Sequence, residues 1–268
     1  MLKIEKKLKL PNMLKRFWKR SMNNAIVKTH LIHKPLIDFH DWFYVFIEKR
    51  MNRFVVQVDF GDGKSRQVAT NNPGRLLELM VPGRKAVCIS NPQGKTAGKL
   101  IAIQDDFGWA FIDTYFQMRA FEVAVQKKYI PWLEGYSFLK RNPRLGESVL
   151  DYSFQNSRGD TVLLELKSAV YRQGRFATYP DCPSTRGQRH IKELTKYAQS
   201  GGKGLILFIA SLAEVDAFRS AEDGDLEVGR LLRLAIKSSP LEIRALSLLY
   251  DPESGLKMGN HDLPVIVQ

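Results

Sequence analysis

The chain has 268 residues, 44% of them hydrophobic, and a formal net charge of +13 at pH 7. That length suits one large domain or two modest ones, and no apolar run nears the roughly 20 residues of a bilayer span, so a soluble protein is expected. The charge draws polyanions, which makes DNA the expected partner, with an anionic membrane surface as the weaker class. The cysteines Cys88 and Cys182 match no zinc or redox spacing, and free thiols in a reducing cytoplasm are expected.

The charge gathers at the start. Within residues 1–37, Lys3, Lys6, Lys7, Lys9, Lys15, Arg16, Lys19, Arg20, Lys28 and Lys34 face only Glu5. Residues 1–41 therefore read as a basic arm that lies along phosphates, with a solvated tail or a targeting peptide as competing readings. The arm lacks the aromatic face that a membrane anchor needs, and no apolar h-region marks a secretory signal.

From 42 to 114 the texture is short and strand-like, through Phe43–Ile47, Phe54–Val58, Arg66–Thr70, Ala86–Ser90, Lys99–Ile103 and Trp109–Ile112. Turn signals at Gly61-Asp-Gly63, Asn71-Asn-Pro-Gly74, Pro82-Gly83 and Asn91-Pro92 separate them, and the pattern predicts a small OB-like β-barrel. Gly74 is expected at positive φ, so that Arg75 reaches outward to phosphate; a plain hairpin turn fits the same residues. No base-stacking platform is assigned among Trp42, Phe43, Tyr44, Phe46 and Phe54, because most aromatics of small barrels are core.

At Tyr115 the period changes. A helix over Tyr115–Lys128 precedes strands Leu150–Phe154 and Thr161–Ser168, joined through Asn156–Asp160 as a hairpin. A helix over Thr185–Ser200, a buried strand Gly204–Ala210, a helix Leu226–Ser238 and a strand Glu242–Tyr250 follow, which makes 115–268 a mixed α/β domain.

The chemistry concentrates in the hairpin. Side chains on a strand alternate, so Glu165 and Lys167 share one face while Val162, Leu164 and Leu166 fill the other. In the partner strand Leu150, Tyr152 and Phe154 are buried and Asp151 turns toward the same pair. Two carboxylates can hold Mg²⁺ or Mn²⁺, and a lysine beside them can position a water that attacks phosphorus. A solvated cross-strand ion pair explains the same spacing without catalysis. Glu122 lies off the apolar face of its helix and reads as a solvated residue rather than a third ligand. In the next helix Thr185 and Gln188 suggest a capping box, and the stripe Ile191, Leu194, Ala198 frees Arg186, Arg189 and His190 for phosphate. A satisfied structural histidine is the competing reading of His190.

Arg53-Phe54, Thr70-Asn-Asn-Pro-Gly-Arg75, Leu164-Glu-Leu-Lys-Ser168 and above all Tyr179-Pro-Asp-Cys-Pro-Ser-Thr-Arg-Gly-Gln-Arg-His-Ile-Lys-Glu-Leu194 resemble the sugar fermentation stimulation protein (SfsA) family over about residues 47 to 262. The resemblance implies an OB-like barrel joined to a restriction-endonuclease-like, PD-(D/E)xK α/β domain, non-specific DNA binding, and a part in regulating sugar-utilisation genes. Carried over, the nuclease acids and lysine fall on Asp151, Glu165 and Lys167, and the Leu166 carbonyl completes a metal site with the two acids. The alternative is a DNA-binding regulator whose pocket is vestigial. The chain departs from the family at Val149, where relatives carry a basic residue, and at Ala69 and Thr70, where a histidine is usual.

Overall fold

The computed structural model describes residues 34–91 and 94–267; most of the basic arm lies outside the described residues. Its final stretch belongs to the folded body. Leu36 and Phe39 are buried, Leu36 N–H donates to the Leu256 carbonyl at 2.8 Å, and the Phe39 ring meets Phe111, Phe116 and Tyr250.

Six strands open the described chain: β1 (Trp42–Asn52), β2 (Val55–Asp59), β3 (Ser65–Ala69), β4 (Lys85–Ile89), β5 (Lys99–Asp105) and β6 (Gly108–Phe111). They pair in the order β3-β2-β1-β4-β5-β6, and a parallel contact between Ala69 of β3 and Lys99 of β5 closes the first five into the barrel expected from the sequence. Alternation builds its interior: Val45, Ile47, Val56, Val58 and Val68 point inward and are fully buried.

Helix α1 (Thr114–Gln126) leads out of the barrel, capped by Asp113, whose side chain accepts from Phe116 N–H at 2.9 Å. Strand β7 (Tyr136–Arg141), a small hairpin of β8 (Arg144–Leu145) and β9 (Ser148–Val149), then β10 (Tyr152–Asn156) and β11 (Thr161–Ala169) follow. The chain continues through β12 (Tyr171–Gln173), β13 (Phe176–Tyr179), α2 (Thr185–Gln199), β14 (Lys203–Ala210), β15 (Ala217–Ser220), α3 (Leu226–Ser238), β16 (Glu242–Asp251), β17 (Gly255–Met258) and β18 (Val265–Ile266). The central sheet runs β17-β16-β14-β11-β10-β7, with β11, β14 and β16 mutually parallel. Strands β12, β13, β15 and β18 form a second sheet for which the sequence offered no signal.

Along β14 the faces divide. Leu205, Leu207 and Ile209 pack in the cluster that holds Ala120, Phe121 and Ala124 of α1, while Ile206, Phe208 and Ala210 join Ile191, Leu194 and Ala198 of α2 and Val228 and Leu232 of α3. The sheet is therefore covered by helices on both faces, which its parallel strands require. Leu163 and Ala169 of β11 also lie in the α2 cluster, so Glu165 and Lys167, two residues apart between them, face α2.

Asp225 fastens this side of the domain. It caps α3 by accepting from Glu227 N–H at 3.0 Å, and it also accepts from Ser184 N–H at 2.9 Å and from the Gln188 side chain at 3.0 Å. Asp225→Ala is expected to cost about 1–2 kcal/mol, the upper part of the usual range for a lost cap. Urea denaturation would show a lower midpoint at unchanged slope, and an unshifted midpoint would rule out this role.

Candidate active site

The hairpin of β10 and β11 has the expected register, with Tyr152 opposite Leu164 and Phe154 opposite Val162. Asp151 sits just before β10. Its Oδ2 accepts from Leu166 N–H at 2.7 Å, which draws it onto the edge of β11 where Glu165 and Lys167 project. All four residues line one cavity of about 830 Å³ between the barrel and the α/β domain.

Glu165 is the hub. It is 2% exposed, and its Oε1 accepts from Lys167 Nζ at 2.5 Å and lies 2.5 Å from His190 Nδ1. Arg186 Nε stands 3.4 Å from His190 Nε2, and a guanidinium only donates, so Nε2 is the acceptor and the ring proton is on Nδ1, given to Glu165. Glu165 Oε2 is buried with no partner. Burial pushes the Glu165 carboxyl upward, but Lys167 and His190 outweigh it and hold it below the ordinary range. Burial likewise opposes the charge on Lys167, and Glu165 overrides it, leaving the ammonium harder to deprotonate than usual. For Asp151 the Leu166 amide, Lys167 and Arg186 give too little relief. Burial, then the neighbouring Glu165, push it up to about 7.

The opposite wall comes from the barrel through Arg53, Asn71, Asn72, Pro73, Gly74 and Leu76. Here the sequence reading needs correction. Positive φ falls at Leu76 (51°) rather than at Gly74. Gly74 is needed for close approach instead, because a Cβ there would stand 2.7 Å from Asp181 Oδ2. Arg75 is exposed and lies outside the cavity lining. Arg50 organises the turn, donating to the carbonyls of Arg53, Asn72, Gly74 and Arg75.

Helix α2 also starts differently. Ser184 is its cap, accepting from Gly187 N–H at 3.0 Å, Thr185 is the first helical residue, and Gln188 serves Asp225 rather than a capping box. Arg186 is exposed and lines the cavity, whereas Arg189 is exposed but does not line it. His190 is 1% exposed, so its ring is not free for phosphate as the stripe implied. Glu122 is no solvated residue either: it accepts from Tyr152 Oη at 2.7 Å, from Arg119 at 2.6 Å and from Arg141, in a knot outside the cavity. Val149 pairs across the small hairpin with Arg144, and both are exposed. Asp181 is a site residue that spacing did not reveal; its Oδ2 accepts from Leu76 N–H at 2.8 Å and ties the two walls together.

A closed five-stranded barrel, followed by a helix-covered mixed sheet that sets an Asp, a Glu and a Lys at one strand edge, defines an OB domain joined to a nuclease-like α/β domain. The family models agree with that division. "SfsA N-terminal OB domain" matches residues 49–112 and "Sugar fermentation stimulation protein RE domain" matches 115–254. The chain is 44% identical to the sugar fermentation stimulation protein homolog of Pyrococcus furiosus over 213 residues, 80% of this chain and 91% of the relative. It is 38% identical to the Archaeoglobus fulgidus homolog over 218 residues, 81% of this chain and 93% of that one. A solved structure of Pyrococcus furiosus SfsA in complex with Ca²⁺ superimposes with a TM-score of 0.81 at 40% identity, covering 86% of this chain and 98% of that one. The chain belongs to the sugar fermentation stimulation protein family. Among the described residues, no helix is long and apolar enough to cross a membrane.

Proposed function

We propose that this chain binds DNA without marked sequence preference and hydrolyses phosphodiesters with a divalent cation, Mg²⁺ or Mn²⁺, in a barrel spanning 42–114 and a nuclease-like domain spanning 115–268. The observation that carries the reading is the meeting of Asp151, Glu165 and Lys167 in one cavity that Arg186 also lines. The residues suit a hard cation. Glu165 Oε2 is buried and unpartnered, and Asp151 is crowded by a second carboxylate, a cost that a bound cation removes. Leu166 N–H faces Asp151, and the carbonyl of a strand residue leaves by the same edge as its N–H, so the Leu166 carbonyl is the third protein ligand. Among the described residues, no group of three or more His, Cys, Asp or Glu side chains is placed to hold a metal ion, so a cation here would rest on the two carboxylates and the carbonyl. Two carboxylates and a carbonyl make an open site, the usual arrangement for Mg²⁺. The Pyrococcus furiosus relative solved with Ca²⁺ supports a divalent-ion site here too.

When bound, the ion neutralises charge on the phosphate and acidifies a water. The protein does the positioning. Lys167, fixed by Glu165, presents its remaining ammonium hydrogens to the water or to the developing charge. Arg186 and the first amides of α2, which also line the cavity, receive a phosphate. The two unpaired cysteines, Cys88 buried and Cys182 half-buried, fit a reducing cytoplasm.

Two measurements test the reading. Purified protein with Mg²⁺ or Mn²⁺ is expected to cut DNA, and Asp151→Asn to abolish the cutting; uncut DNA under all conditions would leave only the non-catalytic regulator. Affinity is expected to fall steeply between about 50 and 200 mM salt, since phosphate neutralisation by a +13 chain releases counterions. Equal affinity at both salts would sink the phosphate-dominated mode.

A further inference from the structure

We propose that the cavity takes single-stranded DNA or a frayed end rather than continuous duplex. The inference rests on the phosphodiesterase reading above and names its substrate class. The barrel turn 71–76 is fastened at both of its ends. At one end Asn71 Nδ2 donates to Asp113 Oδ1 at 3.0 Å, Thr114 N–H donates to Asn71 Oδ1 at 3.1 Å, and Asn72 Nδ2 donates to the Ile112 carbonyl at 2.9 Å. At the other, Leu76 N–H is held by Asp181 Oδ2 at 2.8 Å. Arg50 clasps four carbonyls of the turn and its approach, so the span between these ties is stiff.

The turn is therefore a fixed wall of the cavity that also holds Asp151, Glu165 and Lys167, and DNA that reaches them lies against it. The cavity's volume of about 830 Å³ falls in the range of small-ligand sites, about 300–1,000 Å³, and suits a nucleotide or two of an unpaired strand. Enzymes that act on a base in such a space take single strands or unpaired nucleotides. Next to the cavity-lining Arg53 stands Phe54, 52% exposed, with the Arg53 guanidinium at 5.4 Å from its ring centre. An exposed ring beside a cation is the pairing on which an unpaired base stacks while its phosphate is neutralised, and a base inside a duplex cannot use it.

Cys182 supplies a native probe. It is half-buried in the cavity lining, while the other cysteine, Cys88, is fully buried, so alkylation reports on the cavity alone. In EDTA, with cleavage off, a short oligothymidylate at about ten times its dissociation constant is expected to slow alkylation of Cys182 about tenfold by mass action. A relaxed, covalently closed duplex circle at equal saturation, measured by its own binding curve, is expected to leave the rate unchanged. Should Cys182 react too slowly to follow, Thr185→Cys places a thiol on an exposed residue of the same lining. Protection by the circle equal to that by the oligonucleotide, or protection by neither, overturns the proposal. With Mg²⁺, cutting of the oligonucleotide and sparing of the circle supports it, and nicking of the circle at the rate of the single strand overturns it while upholding the phosphodiesterase. Protection by the single strand without any cutting has the opposite meaning: the substrate inference stands and the phosphodiesterase reading falls.

Discussion

Asp151→Asn is expected to stabilise the metal-free protein above pH 7 and to abolish its binding of divalent ions. Burial and Glu165 raise the carboxyl from its ordinary 3.8 to about 7. A raised carboxyl binds its proton more tightly in the folded state. The stability it contributes is thus complete below about pH 4 and lost as pH rises through about 7. Three pH units set a ceiling of about 4 kcal/mol, and the Leu166 amide bond, which asparagine keeps through its own Oδ1, does not alter the sign. Urea midpoints in EDTA at pH 5 and pH 8 should show the variant gaining on the parent between the two. Adding Mg²⁺ should then raise only the parent, by the mass-action stabilisation of a ligand bound to the folded state. A variant less stable than the parent at pH 8 in EDTA would mean that Asp151 carries a structural bond rather than a ligand's strain.

Local periodicity made part of this site readable. Glu165 and Lys167 lie two apart on one strand, and the turn Asn156–Asp160 brings Asp151 back beside them, so a period of two and a hairpin suffice. The barrel was readable for the same reason, since each strand carries its own alternation. Of the two readings of His190, the phosphate contact came from drawing the helical stripe through apolar residues only, whereas the buried ring fits the satisfied structural histidine. It stands four before Leu194, on the buried face, and it is polar because it completes the hydrogen bonds of Glu165. Gly74 was assigned a conformation when its need is space against Asp181, more than a hundred residues away. The sheet of β12, β13, β15 and β18 left no signal, because strands of two to four residues have too few alternations to show a period. Long-range ties such as Asp181 to Leu76 have no local signature of any kind.

Glu165→Gln should change stability in the direction opposite to Asp151→Asn, although both remove a carboxylate from the same cavity. Glu165 answers Lys167, whose side chain is only 10% exposed, and the buried ring of His190. A glutamine keeps the shape and removes the charge, leaving an ammonium in a buried place without its counterion. Breaking a buried pair from one side costs about 3–5 kcal/mol, which for a protein of this size lowers Tm by roughly 10 °C or more. Lys167→Met alone should retain divalent-ion binding, since the carboxylates remain, and lose turnover, since nothing then holds the water. The double variant Glu165→Gln with Lys167→Met removes both charges and should recover most of the stability lost in Glu165→Gln, without recovering ion binding. Four urea curves close the cycle. If the double variant is as unstable as the two single losses added together, Lys167 and Glu165 are not a coupled pair, and the site as described here fails.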